Sequence, residues 1–299
     1  MTDPPPAPLV HRLWILWRLA HAWRQVVGVV VMLLLAGLYA LPFYWMFLKA
    51  GRDSIFLGYP PDFNPFSGTS WSNFVNNFNT VWGYGSGIFA QAFSNSLFVA
   101  LSVTVLSVGF GSLAGYAFAR LRFPGRDLLF YLVLATLMIP FPVIFISNYF
   151  FMYQLGWLNS YQGLIVPQVV SALNVFIMRQ YFLTIPADVE NAAKLDGLRP
   201  WNIFFRISAP LAKPAFAASI ILTFIGTWNN FLWPLVVSTN PSFWTLPVAL
   251  DFFKGVNGTQ IYWDQMMMAT LIMVVPTLVI YAFAERYFIQ GISFFSVKR

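Results

Sequence analysis

ADVENAAKLDGLRPWNIFFRISAPLAKP, residues 187–214, is the most polar stretch in a greasy chain. It carries Asp188, Glu190, Lys194, Asp196, Arg199, Arg206 and Lys213, seven charges in 28 residues. The whole chain of 299 residues has 17 Lys and Arg and 10 Asp and Glu, so 9% is charged and 59% is hydrophobic. Mean hydropathy is +0.67. Such a composition belongs to membrane proteins, in which apolar runs of about eighteen or more residues read as spans. The question is what a polar insert does between two of them.

Working outward from it, six apolar segments fall at roughly 26–48, 91–119, 127–152, 161–183, 215–238 and 265–288. Each is long enough, at about 1.5 Å per residue, to cross about 30 Å of hydrocarbon. Pro140, Pro142, Pro167 and Pro276 lie inside these segments as kinks, which bundled membrane helices tolerate. Lys and Arg sort sharply between the two sides. Fourteen of them (Arg12, Arg18 and Arg24; Arg120, Arg122 and Arg126; Arg179, Lys194, Arg199, Arg206 and Lys213; Arg286, Lys298 and Arg299) fall on one side, and three, Lys49, Arg52 and Lys254, on the other. The basic side is the cytosolic one. The expected organisation is therefore a cytoplasmic N-terminal tail at 1–25, a first transmembrane helix at 26–48, an external loop region at 49–90, a core transmembrane domain at 91–288 and a cytoplasmic C-terminal tail at 289–299. Both termini and the 186–214 loop face the cytosol. PPPAP near the start reads as a disordered lead-in.

The net charge of +7 reflects this flanking and not nucleic-acid binding. With no cysteine, disulfides, thiolate metal sites and cysteine nucleophiles are excluded. The two histidines, His11 and His21, are both N-terminal. No G-x-S-x-G, H-E-x-x-H or intramembrane carboxylate pair is present, which argues against an intramembrane enzyme. The span interiors also lack the ionisable group that ion-coupled secondary transporters keep at mid-membrane. No G-x-x-x-x-G-K-[ST] phosphate loop occurs, so any ATP-derived energy must come from another polypeptide. Asn257, Gly258 and Thr259 fit a glycosylation pattern but read as a turn.

Within the polar loop, Pro186 followed by Ala187 and Asp188 marks a helix start, with acids at the positive end of the dipole. The helix should run from Ala187 to Leu195, with Gly197 as its cap and Pro200 just beyond. Ala192 and Ala193 offer a face free of bulky side chains. Trp201, Phe204, Phe205 and Ile207 make an apolar anchor, and Pro210 and Pro214 break the chain before the fifth span. A short amphipathic helix, a turn and an anchor at the membrane surface fit a groove on another protein. A plain surface connector fits these residues equally well.

This loop resembles the cytoplasmic EAA loop of ABC importer permeases: EAA, three residues, G, nine residues, I, one residue, LP. Ala192, Ala193, Gly197, Ile207 and Pro210 match, as does the Asp196-Gly197 pair. Asn191 stands in place of the glutamate and Ala209 in place of the leucine. Glu190 cannot take the glutamate's place, because one residue turns a helix by about 100°. FSNSLFVALSVTVLSVGFGSLAGYAFARLRFPG, MIPFPVIFISNYFFMYQLGWLNSYQGLIVP, TWNNFLWPLVV, TLPVAL and ERYFIQGISFFSVKR resemble the carbohydrate-uptake subgroup, maltose/maltodextrin type, over roughly residues 26–299. Phe294 and Phe295 stand where that subgroup has small residues.

The resemblance implies an all-α polytopic bundle of six transmembrane helices with a cytoplasmic coupling helix, the type I importer permease fold. It implies one permease subunit of an ATP-driven, binding-protein-dependent sugar importer. Implied partners are a second, related permease subunit, an ATP-binding subunit dimer, an external solute-binding protein and the lipid bilayer, with no nucleic acid. No catalytic residue, metal or bound cofactor is implied for this chain. The ATPase-coupling loop would comprise Glu190, Asn191, Ala192, Ala193, Asp196, Gly197, Ile207 and Pro210. A non-sugar solute such as glycerol phosphate or a polyamine is the alternative cargo.

Two further features bear on mechanism. Gly111 and Gly115 are spaced for close helix packing in the second span. In the fifth, Thr223, Thr227 and Asn230 share one helical face with Asn229 nearby. With the aromatic face of Trp228, these polar groups could line a sugar path or bond neighbouring helices. Asn148, Asn174 and Gln168 are further polar groups within spans.

Overall fold

The computed structural model describes residues 9–52, 64, 68–251, 253 and 262–296, with side chains described except at 9–22 and 284–296. It is helical throughout, and the one strand-like pairing among the described residues is an isolated bridge between Arg52 and Thr69. Lys254, residues 257–259, Lys298, Arg299 and the PPPAP start lie outside the described residues.

Three helices contain unbroken apolar stretches long enough to span: Trp23–Ala50, Tyr84–Arg120 and Trp263–Phe283. They belong to α1 (Leu9–Ala50), α3 (Tyr84–Arg120) and α14 (Trp263–Ser296), the last preceded by the short α13 (Leu246–Asp251). The segments expected as tails are thus helical over their described parts, from Leu9 onward and as far as Ser296. In the external region expected at 49–90, α2 (Trp71–Trp82) is capped by Ser70, whose hydroxyl accepts from the Asn73 amide. A left-handed turn at Gly85, Ser86 and Gly87 then leads into the straight part of α3.

The other spans are broken. The single kinked helix expected at 127–152 is two helices, α4 (Arg126–Ala135, prolonged by a 3-10 turn to Met138) and α5 (Phe141–Gln154), bent by 97°. Pro140 has no N–H to continue the helix, and it forces Ile139 into an extended conformation at φ −84° and ψ 114°. Pro142 then sits in the first turn of α5, where a missing N–H costs nothing. The fourth span is α6 (Tyr161–Val169) and α7 (Ala172–Thr184), bent by 41°. Ser171 caps the second half by accepting from the Asn174 amide at 3.3 Å. The fifth is α11 (Lys213–Trp228) and α12 (Leu232–Val237), interrupted at Asn229 and Asn230. Sixteen residues of α11 reach only about 24 Å, so α11 alone falls short of the hydrocarbon thickness.

Close approach of α3 to α7 organises the bundle. A Cβ at Gly111 would lie 2.6 Å from Asn174 Cβ, and one at Gly115 would lie 2.8 Å from both Met178 Cβ and the Arg179 amide. Small residues let backbones meet where lipid supplies no hydrophobic drive between helices. One core cluster, with Ala50, Phe89, Trp228, Leu246 and Met268, sits at the end of the bundle near Trp244. Another, with Tyr116, Met178, Phe182, Phe204 and Ala215, sits at the opposite end, near Arg120. A third joins Val99, Met152, Leu164 and Trp233. Since Ala50 and Met268 belong to the first cluster, the start of α1 and the finish of α14 project toward the Arg120 end. The apolar side chains of α1 from Val26 to Tyr44 are largely exposed, as a lipid-facing helix requires.

Candidate functional site

At the Arg120 end the polar loop forms a defined element. Pro186 sits extended at φ −57° and ψ 132°, and α8 (Ala187–Leu195) starts directly after it. Asp188 and Glu190 occupy the first turn and Lys194 the last, the order that the helix dipole favours. Gly197, at φ +81°, closes the helix. Its amide donates to Lys194 O and the Leu198 amide to Ala193 O, both at 3.0 Å. This is a Schellman cap, and its left-handed residue has no side chain to strain.

α8 has two unlike faces. Glu190 and Ala193 point into the bundle, Glu190 with 2% of its surface exposed. Asp188, Asn191, Ala192, Lys194 and Asp196 point away from it. Leu195 stands 89% exposed at the tip. The two alanines expected to share a smooth face are therefore split, one inward and one outward, by the turn between neighbouring helical positions. The same rotation separates exposed Asn191 from buried Glu190.

The chain continues through α9 (Pro200–Ile203), a π-helical turn (Phe204–Ser208) and α10 (Ala209–Leu211), then bends by 79° into α11. In the π turn the Ala209 amide donates to Phe204 O. Pro210 cannot donate an amide here, which favours the widened turn. Ile203, Phe204 and Ser208 face the core, Ile207 is half-buried, and Pro210 is exposed. Trp201 and Phe205 stack at 6.1 Å between centroids on the exposed side. The break before α11 falls at Ala212, between the prolines expected to make it.

Beneath α8 lies a polar node that sequence reading did not assemble. Arg120 Nε is 3.2 Å from Glu190 Oε1, but off the hydrogen-bond direction. Arg120 Nη2 donates to Phe182 O at 2.6 Å and also to Ile185 O. Ser208 Oγ donates to Glu190 Oε1 at 2.8 Å, and Tyr116 Oη lies 3.5 Å from Oε2. No local sequence signal pointed to it, since an arginine ending an apolar span can equally reach the headgroups. Nearby, the Arg179 guanidinium sits 3.9 Å over the Phe130 ring and 3.6 Å from Asp127 Oδ1.

The polar residues of the fifth span are placed less uniformly than expected. Asn174 Nδ2 donates to Ser107 Oγ and Thr223 Oγ1, both at 2.9 Å. Asn174 is 1% exposed, so it and Thr223 join α3, α7 and α11. Asn229 and Asn230 lie past the end of α11, so the face expected for Thr223, Thr227 and Asn230 stops at Trp228. Asn230 Nδ2 donates to Gln168 Oε1 at 2.9 Å, and Asn229 Nδ2 donates back to Ile225 O. Trp228 is 1% exposed, its indole N–H donating to Met273 O, and so offers no free aromatic face. Thr227 and Asn148 are half-buried. Among the described residues no group of three His, Cys, Asp or Glu could hold a metal ion.

Comparison with known proteins places this architecture. Residues 107–294 match the family described as binding-protein-dependent transport system inner membrane component. The arabinooligosaccharides transport system permease protein AraQ of Bacillus subtilis is 36% identical over 89% of this chain and 93% of its own. The sn-glycerol-3-phosphate transport system permease protein UgpE of Yersinia pestis is 32% identical over 74% of this chain and 79% of its own. The crystal structure of a bacterial ABC transporter involved in import of the acidic polysaccharide alginate contains a chain of the same fold. Its TM-score is 0.75 at 22% identity, covering 95% of this chain and all of that one.

Proposed function

Because the chain belongs to the family of binding-protein-dependent transport system inner membrane components, we propose that it is a permease subunit of an ATP-driven oligosaccharide importer. One observation carries the coupling role. α8 holds its fold through its own cap and its inward face, while Leu195 and a mixed-charge outward face remain uncovered. A short helix presented in this way suits a groove on an ATP-hydrolysing subunit. The partners are then an ATPase dimer, a second permease related to this one and an external binding protein that delivers the solute.

The Arg120 end gathers Arg122, Arg126, Arg179, Arg199 and Arg206 with the start of α1 and the finish of α14. The positive-inside rule supports reading this end as cytosolic, with the start of α1 and the finish of α14 on the same side. Trp201 and Phe205 then anchor the loop at the headgroup level. Oligosaccharide is favoured over a phosphorylated solute because α11 carries no Lys or Arg after Lys213, whereas its polar groups are hydroxyls and, just past its end, amides.

The test is the complex purified from its native membrane and reconstituted with binding protein. Leu195→Asp should abolish stimulation of ATP hydrolysis by loaded binding protein and weaken copurification of the ATPase. An Asp196→Cys thiol should react with an impermeant reagent only in inside-out vesicles. Labelling from the outer face, or sugar uptake by the chain alone, would overturn the reading.

A further inference from the structure

The buried node under α8 has no counterpart on the exposed face, and its members come from four separate places: Arg120 and Tyr116 at the end of α3, Glu190 on α8, Ser208 in the π turn, and the carbonyls of Phe182 and Ile185 where α7 finishes. The geometry assigns Glu190 and Arg120 the role of positioning residues that lock the coupling helix to α3 and α7, so that displacement of α8 becomes displacement of the transmembrane core. This rests on the reading that α8 docks with an ATPase.

Three features support a lock over simple filling of space. First, α8 otherwise touches the bundle through little: Ala193 is its one other buried residue, and a single methyl group offers only a small contact and no polar bond. Second, Arg120 uses one guanidinium to hold the open C-terminal carbonyls of α7 and to face the carboxylate of α8 at once. The two carbonyl contacts are charge-assisted hydrogen bonds, short and directional, and the carboxylate is held by its opposite charge. Third, the π turn widens the backbone where Ser208 reaches Glu190, so the approach to α11 is tied to the same carboxylate. A buried charge that loses its partner is strongly unfavourable, so the node resists coming apart when α8 is pulled. Glu190 thus serves the inside of the machine, while Asn191, one residue on, faces the partner.

The test uses the complete transporter in proteoliposomes, with binding protein and its solute, and reads ATP hydrolysis and solute uptake together. Glu190→Gln keeps the shape and can still accept from Ser208, but removes the charge facing Arg120. The expected result is binding-protein-stimulated hydrolysis within about twofold of wild type, with uptake per ATP reduced at least about tenfold. Ser208→Ala, which leaves the ion pair intact, should lower the same ratio by a smaller factor, and it carries the test should Glu190→Gln fail to assemble. An unchanged uptake-to-ATP ratio in the assembled variants would overturn the lock, as would hydrolysis and uptake falling in equal proportion. Failure of the docking reading itself looks different: the wild-type complex would show no ATPase subunit and no ATP-dependent uptake.

Discussion

Replacing Gly197 probes the cap of α8 without crowding any other part of the chain. A Cβ added there meets nothing within 4 Å in the chain, and φ is +81°, so alanine acts within the chain through the backbone alone. Alanine in the left-handed region costs about 1–2 kcal/mol, which shifts the balance between the formed cap and its alternatives by about 5- to 30-fold. Asparagine tolerates this region better and should cost less. Proline must abandon it, since its ring holds φ near −65°, and it also removes the amide that donates to Lys194 O at 3.0 Å. About 3 kcal/mol or more is lost, roughly a hundredfold at 1.4 kcal/mol per factor of ten. The assay is stimulation of ATP hydrolysis by loaded binding protein in reconstituted transporter, with membrane insertion checked separately. The expected order of stimulation is wild type, Asn, Ala, Pro, with Pro near the unstimulated level. Equal activity of Ala and wild type, or equal loss in Asn and Pro, would refute the claim that the cap conformation sets the position of α8.

Gly111→Ala puts a Cβ 2.6 Å from Asn174 Cβ, and overpacking of this kind costs about 1–3 kcal/mol; the thermal midpoint of the solubilised chain should fall, whereas Gly109→Ala, where nothing lies within 4 Å, should not lower it. Asn174→Ala strands the buried Ser107 and frees Thr223, at about 1–3 kcal/mol for unsatisfied buried groups; the denaturation midpoint should drop well below that of Asn229→Ala, which loses only an exposed side-chain bond back to Ile225 O in the last turn of α11.

The extent to which the site was legible differs from element to element. α8 could be bounded from sequence because its signals are local: Pro186 before it, acids in its first turn, and a glycine at the one position that needs positive φ. The Gly111 and Gly115 spacing announced a close contact for the same reason, since only the absence of a side chain permits it. The fifth span was misread at Asn229 and Asn230 because hydropathy registers composition and not continuity; nothing local distinguishes a helix that passes through two asparagines from one that ends at them. Trp228 looked like a free aromatic surface because a tryptophan's burial depends on partners such as Phe93 and Phe224 that are remote or a full turn away.

What the sequence alone determined is the membrane class, the basic side and the short polar helix with its cap, since each follows from composition or from residues within a turn of one another. What only the tertiary structure decided is the 97° break at Pro140, the commitment of Asn174 and Asn230 to neighbouring helices, and the inward turn of Glu190 onto Arg120. The physical reason is separation along the chain. Glu190 and Arg120 are 70 positions apart, and a carboxylate can be told from an exposed one only when the fold has brought an arginine, a serine and a tyrosine around it.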